Sequence, residues 1–136
     1  MISLIYDISK NTLIKCSEIN TSFSRQMNSL DTQYEVSIEV STSIDNYKGR
    51  KWVIDWYQSM FANGTYVNAS KYKRDIHIEK IDTILHNCFI SSYRNEDDLM
   101  RITLTADYIS IGTEDNNHRN YYIDYYRDLK INELFD

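Results

Sequence analysis

The spacing of apolar residues changes along the chain, and each change marks an element. Tyr34, Val36, Ile38 and Val40 alternate with Glu35, Ser37 and Glu39, the period of two expected of a half-buried strand. Ile102, Leu104, Ala106 and Tyr108 alternate in the same way with Arg101, Thr103, Thr105 and Asp107. Ile76 and Ile78 predict a shorter strand continuing to Ile81, and a further strand is expected from Cys88 to Tyr93. The acidic turn Asn95-Glu96-Asp97-Asp98 separates that strand from the one in the 100s, which predicts a hairpin with a loop of several residues. Residues 2–8 and 12–17 also read as extended, with a polar turn at Ser9-Lys10-Asn11.

From about residue 45 to 62 the period becomes helical. Trp52, Val53, Trp56, Tyr57, Met60 and Phe61 wind one apolar stripe, while Lys48, Arg50, Lys51, Asp55 and Gln58 fall largely off it. Asp45 is the expected N-cap and Asn63-Gly64 the expected left-handed stop. A helix with one apolar stripe needs a flat apolar partner, which the alternating strands supply. The predicted fold class is therefore α+β: an antiparallel β-sandwich or barrel over residues 1–111 with one flanking helix. Trp52, Trp56, Met60 and Tyr108 are expected in its core.

Residues 112–136 read as a C-terminal extension. A polar segment runs to Asn120, and Tyr122, Tyr125, Tyr126 and Leu129 then fall on one helical face, with Leu134 and Phe135 beyond. Such a segment either closes the domain's own core or docks on a neighbour, because tyrosine offers large contact area at modest entropic cost. Its candidate interface residues are Tyr121, Tyr122, Tyr125, Tyr126, Leu129 and Phe135.

Composition narrows the function classes. A chain of 136 residues builds one domain with a real core. Its formal charge of -5 argues against a protein whose main task is gripping a phosphate backbone. No apolar run approaches the roughly 18–20 residues that span a bilayer. The start MISLIYDISK lacks the pattern of a secretory signal, so an intracellularly made protein without membrane contact is expected. Heavy use of Ile and Asn suggests an AT-rich coding genome, and the Asn-x-Ser/Thr triplets at Asn20, Asn63 and Asn68 then arise by composition.

Candidate chemistry is sparse. His77, His86 and His118 have no i, i+4 pairing and no Cys at ligand spacing, and His77 falls on the polar side of its strand, where it should be solvated. Cys16 and Cys88 lie in apolar strand contexts, as small core residues do. Gly49, Gly64 and Gly112 are isolated, so no phosphate-cradling loop is present. No enzyme, metal or cofactor is expected. Two basic clusters stand out, Lys48/Arg50/Lys51 before Trp52 and Lys71/Lys73/Arg74 around Tyr72, and they read as salt-bridge partners or subunit contacts.

The order of these features resembles one family. The run QYEVSIEVSTSIDNYKGRKWVIDWYQSM, residues 33–60, is similar to the segment of bacteriophage tail tube proteins in which a W-x-V/I-x-V/I strand leads into a helix ending near an aromatic. IEKIDTILHNCFISSYRNEDDLMRITLTADYI, residues 78–109, resembles that family's closing pattern. An acidic loop there precedes a last strand ending in L-x-x-D-Y, here Leu104-Thr105-Ala106-Asp107-Tyr108. The resemblance covers about residues 33–109. It implies a β-barrel or sandwich with a flanking helix, assembling with copies of itself into hexameric rings that line a DNA conduit in the virion. Other tail and baseplate proteins would be its partners, and DNA would pass without specific binding.

Two departures refine this expectation. Residues 17–33 lack the long loop by which tube subunits reach the next ring, and about 25 residues follow Tyr108. Both fit a baseplate, initiator or adaptor subunit better than a repeating one. Under the resemblance, the wet faces Glu35/Ser37/Glu39 and Arg101/Thr103/Thr105/Asp107 are the lumen candidates, since a conduit wall must be polar and non-adhesive. From a different class, a small phage-encoded binding module acting on a host or phage protein would use the same core and its Tyr-rich end for one partner.

Overall fold

The computed structural model describes residues 3–28, 31–41, 46–62, 65–66, 72–111 and 120–135; side chains are described at 3–20, 34–41, 46–60, 72–111 and 120–131. β1 (Ser3–Asp7) and β2 (Thr12–Cys16) form a hairpin paired from Ser3↔Cys16 to Asp7↔Thr12, its turn left through Asn11 at φ 52°. Asparagine tolerates that left-handed backbone better than most residues. β3 (Glu18–Asn28) and β4 (Asp31–Ser41) form a second, longer hairpin, followed by helix α1 (Tyr47–Ser59). Two short strands, β5 (Phe61–Ala62) and β6 (Thr65–Tyr66), pair only with each other. β7 (Arg74–Ile78), a 3-10 turn (Glu79–Ile81), β8 (Thr83–Glu96), β9 (Leu99–Ala106), β10 (Tyr108–Ile111) and helix α2 (Ile123–Phe135) complete the order.

The other eight strands form one open, antiparallel sheet in the order β2-β1-β7-β8-β9-β4-β3, with β10 also paired to β8. β8 is the hinge of this path. Its first half runs between β7 and β10, and its second half pairs with β9, whose far side carries β4 from Tyr34↔Ala106 to Ser41↔Leu99. Two irregularities bend β8: Asn87 at φ 51°, and a register shift between Ile90 and Ser92. Bulges of this kind increase local twist and turn a strand toward a new neighbour. The path's two terminal strands, β2 and β3, are consecutive in the chain, separated by Ser17, whose N–H donates to the Glu39 carbonyl at 2.8 Å.

Alternation decides what lies inside. Val36, Ile38 and Val40 of β4 and Ile102, Leu104 and Ala106 of β9 are buried and share one core with Ile5, Ile14, Ile19, Ile76, Ile78, Leu85 and Ile90. α1 contributes Trp52, Val53, Trp56 and Met60 to the same cluster, as its stripe predicted. Gly49 lies on this buried face, where a Cβ would stand 2.7 Å from Asn46 Oδ1. The Asn46 amide nitrogen is thereby free to donate to the Lys15 and Ser41 carbonyls, which ties the start of α1 to β2 and β4.

Several sequence expectations are corrected. Tyr108, expected in the core, is 53% exposed. The chain breaks step at Asp107, whose N–H bonds the His86 carbonyl, so the alternation changes phase and Tyr108 stacks on His86 outside the core, ring centroids 4.4 Å apart. The hairpin loop of several residues is a tight reversal at Asp97-Asp98, with Glu96 facing Leu99, and the strand expected at 88–93 runs from Thr83 to Glu96. β7 stops at Ile78, and Ile81 belongs to the 3-10 turn. The helix is shorter than 45–62: Asn46 is its N-cap residue, and it closes at Met60. The expected cap Asp45 and stop Asn63-Gly64 lie outside the described residues. The Tyr-rich segment read as having one helical face is a second helix, α2, and β3 is a strand the pattern did not predict.

These placements separate residues that alternation alone treats alike. Trp56→Ala should cost about 3–5 kcal/mol through the cavity left in the core. Tyr108→Ala should cost about 1 kcal/mol or less, the worth of an exposed aromatic pair. Urea midpoints of the two variants at unchanged slope check the contrast.

Candidate functional site

The most organised polar cluster begins at the end of β1. Asp7 is fully buried. Its Oδ2 accepts the Trp52 indole N–H at 2.8 Å and a guanidinium N–H of Arg74 at 3.0 Å, and its Oδ1 accepts the Lys10 backbone N–H at 3.1 Å. The Arg74 guanidinium also lies over the Trp56 ring, 4.8 Å from its centroid, and the Trp56 indole N–H donates to the Tyr72 carbonyl at 2.9 Å. A buried carboxylate is tolerable only with such partners, and charge-assisted bonds are the strong ones. The cluster locks α1, the β1–β2 turn and the start of β7 to one another.

Two hollows open above this cluster, of about 410 and 330 Å3, and both are lined by Lys10 and Arg74. Lys48 and Lys51 of α1 line the first and Lys73 the second, so the fold unites two basic clusters that the sequence presents separately and adds Lys10 to them. The acidic partners here are Asp55, 3.4 Å from Lys51, and Asp107, 3.5 Å from Lys73, besides Asp7. Asp107, grouped by alternation with the lumen candidates, instead pairs with Lys73, which lines the second hollow. Arg50 is exposed on α1, and Lys71 lies outside the described residues.

The other lumen candidates sit on β4 and β9, where Glu35 faces Thr105, Ser37 faces Thr103 and Glu39 faces Arg101. A shallow depression of about 370 Å3 lies here, lined by Ser37, Glu39, Arg101 and Thr103 together with Glu18 and Arg94. Arg101 pairs with Glu39 at 3.1 Å and Glu96 at 3.8 Å, and Arg94 with Glu96 at 3.1 Å. Thr105 departs from expectation: it is 3% exposed, and its hydroxyl donates to Ser91 Oγ at 2.7 Å. It is a covered residue rather than part of a wet wall.

His77 is also corrected. It is buried, not solvated, because the C-terminal segment covers its side of β7. Its Nε2 lies 2.8 Å from Asp82 Oδ1 and its Nδ1 2.8 Å from the Tyr122 hydroxyl. The Tyr122 hydroxyl also donates to the His77 backbone carbonyl at 3.2 Å. Tyr122, an interface candidate, is therefore buried within its own chain, and Tyr121 stacks on Tyr6 with centroids 4.2 Å apart. Tyr126 donates to Glu79 Oε1, and Lys15 Nζ stands 5.2 Å from the Tyr125 ring centroid. Farther along α2, Leu129 and Ile131 are exposed, while the side chain of Phe135 lies outside the described residues.

Both thiols are buried, and burial pushes Cys16 and Cys88 up, with Asp7 and Asp75 adding to the shift at Cys88. Neither is poised as a nucleophile. Among the described residues no group of three or more His, Cys, Asp or Glu side chains is placed to hold a metal ion, and no helix is long and apolar enough to cross a membrane. Comparison with protein-family models, with curated proteins and with solved structures gives no match.

Two measurements probe these clusters. Asp7→Ala strands the Arg74 guanidinium and the Trp52 indole N–H, and should cost about 3–5 kcal/mol in urea unfolding. Tyr126 carries an alkaline signature. Its hydrogen bond to Glu79, with burial and the Glu79 charge, pushes its hydroxyl from 10.0 up to about 12. A pKa raised in the folded state stabilises below the unfolded value and is lost as pH rises through the folded one. Docking of α2 should therefore hold below pH 10 and loosen between about pH 10 and 12. Tyrosinate absorbance with limited proteolysis reads this, and Tyr126→Phe should remove the late absorbance step.

Proposed function

We propose that this chain is a structural subunit of a bacteriophage tail, in the tube or in the baseplate region that initiates it, and that it works by assembling with copies of itself and other tail proteins. In this reading the sheet closes into a tail-tube-like barrel or sandwich within a six-fold ring. The observation that carries the proposal is the open antiparallel sheet with strands that have one neighbour each. Among the described residues β3 pairs only with β4 and β10 only with β8, and β10 presents Tyr108 and Ile111 to solvent. An exposed edge carries unpaired N–H and C=O groups that another chain's strand can extend. Joining subunits edge to edge around a closed ring satisfies them.

The chemistry of the β4–β9 face supports the conduit part of the reading. Its two arginines among the described residues, Arg94 and Arg101, are each held by a carboxylate, while Glu18 adds further negative charge to that side. Phosphates find little free positive charge on such a wall, so DNA can slide along it. Glu35, Ser37, Glu39, Arg101 and Thr103 are the lumen residues of this proposal. The second reading, a binding module for a host or phage protein, is favoured by the basic groove above Asp7, which a conduit wall does not require.

Light scattering coupled to size exclusion, with negative-stain images of each peak, tests the choice. Rings or stacked rings are expected, and Ile111→Lys, which places a charge at the β10 edge, should reduce them without lowering the unfolding midpoint by more than about 0.5 kcal/mol in equivalent stability. A chain that remains monomeric at every concentration would exclude a spontaneously polymerising tube subunit and move the weight to a templated baseplate part or to the binding module.

A further inference from the structure

The basic groove and the acidic β8–β9 turn are oppositely charged surfaces of one chain that do not satisfy each other within it. Among the described residues, the ion pairs of the groove are Arg74 with Asp7, Lys51 with Asp55 and Lys73 with Asp107, whereas Glu96 pairs with Arg94 and Arg101. Lys10 and Lys48 are exposed, and so are Glu96, Asp97 and Asp98, which stand in a row at the hairpin reversal. Asp97 has the left-handed backbone of a tight turn, at φ 48°. The groove is rigid for a separate reason, since Arg74 and Trp52 are both anchored on buried Asp7.

We infer that the groove formed by Lys10, Lys48, Lys51 and Arg74 receives the Glu96-Asp97-Asp98 tip of a second copy of this chain. This deepens the assembly reading and rests on it: the contact is head-to-tail, the kind that closes into rings or grows into stacks. The size of the groove fits. A hollow of about 410 Å3 accommodates a few side chains at a hairpin tip, not an extended chain. Charge distribution favours a short acidic tip over a nucleic-acid strand. Asp55, with its side chain 59% exposed, interrupts the basic rim beside Lys51 and would repel a continuous row of phosphates. A compact acidic tip can seat beside Lys10, Lys48 and Arg74 without running along that rim. Such complementarity sets register and encounter rate, and it weakens with salt.

The test uses the full chain and two charge-reversed forms, Lys10→Glu with Lys48→Glu in the groove and Glu96→Lys with Asp98→Lys at the tip. All four positions are exposed, and Asp97 keeps its left-handed residue. Association followed by light scattering should shift at least about tenfold to higher concentration in each variant alone. The wild type should shift in the same direction between about 0.05 and 0.5 M salt. An equimolar mixture of the two variants should recover association, because the reversed groove now accepts the reversed tip. Circular dichroism melts establish that both variants fold. Variants that associate like the wild type, or a mixture that does not recover, overturn the contact while leaving assembly through sheet edges standing. A wild type that never associates overturns the contact and excludes a spontaneously polymerising tube subunit with it. Single-stranded DNA captured by the wild type and lost in the groove variant, with association unchanged, would assign the groove to nucleic acid instead.

Discussion

A carboxylate with no exposure to water organises this molecule. Asp7 cannot remain charged in an apolar interior without partners, and its three come from separate parts of the chain: the indole of Trp52, the guanidinium of Arg74 and the backbone of Lys10. Each helps to fix a different element, so the helix, the first hairpin and the start of β7 reach their positions together. Arg74 extends the network by lying over Trp56, which in turn holds the Tyr72 carbonyl. Replacing such an ion pair with apolar residues can be neutral for stability, so its contribution here is better understood as alignment. The same residue that neutralises Asp7 forms the floor of the basic groove, which ties a packing constraint to a surface property.

The second constraint is the bend in β8. A straight strand of this length would extend a flat sheet, and its two halves would share the same neighbours. The left-handed residue Asn87, whose N–H is held by Asp75 Oδ1 at 3.0 Å, and the register shift near Ser91 let one strand pair with β7 and β10 first and β9 afterwards. Residues from both halves of the sheet thereby share one core, with α1 packed against it. Among the described residues it also leaves β3 and β10 with single neighbours, the feature on which edge-to-edge assembly depends.

The C-terminal segment has a divided character. Its first turn is part of the fold, through Tyr122 on His77, Tyr121 on Tyr6 and Tyr126 on Glu79. Glu79 Oε2 remains buried with no hydrogen-bond partner among the described residues, so this attachment is less completely satisfied than the Asp7 cluster. The remainder of α2 exposes Ile123, Leu129 and Ile131. Of the two roles a Tyr-rich amphipathic end can play, the tyrosines nearest the sheet close the chain's own core, and the outer apolar residues are left at the surface.

Local pattern determined the elements whose burial is one-sided. The alternation at 34–40 and 102–106 and the Trp52/Val53/Trp56/Met60 stripe depend only on which faces meet the core, and period reports that directly. Pattern alone could not count the phase change at Asp107, which moved Tyr108 out of the core, because a one-residue break in a strand has no periodic signature. Nor could it find β3, whose run of Ser, Thr, Asn and Gln offers little apolar alternation, so that the strand depends on its partner β4. His77 had the polar position its strand period assigns; what buried it was Tyr122, 45 residues away. The groove followed the same logic. Its lysines and arginine were legible as two clusters, but their meeting with Lys10 around Asp7 required the β1–β2 turn, α1 and β7 to converge. Distances between residues far apart in sequence are set by packing, and that only the tertiary structure decides.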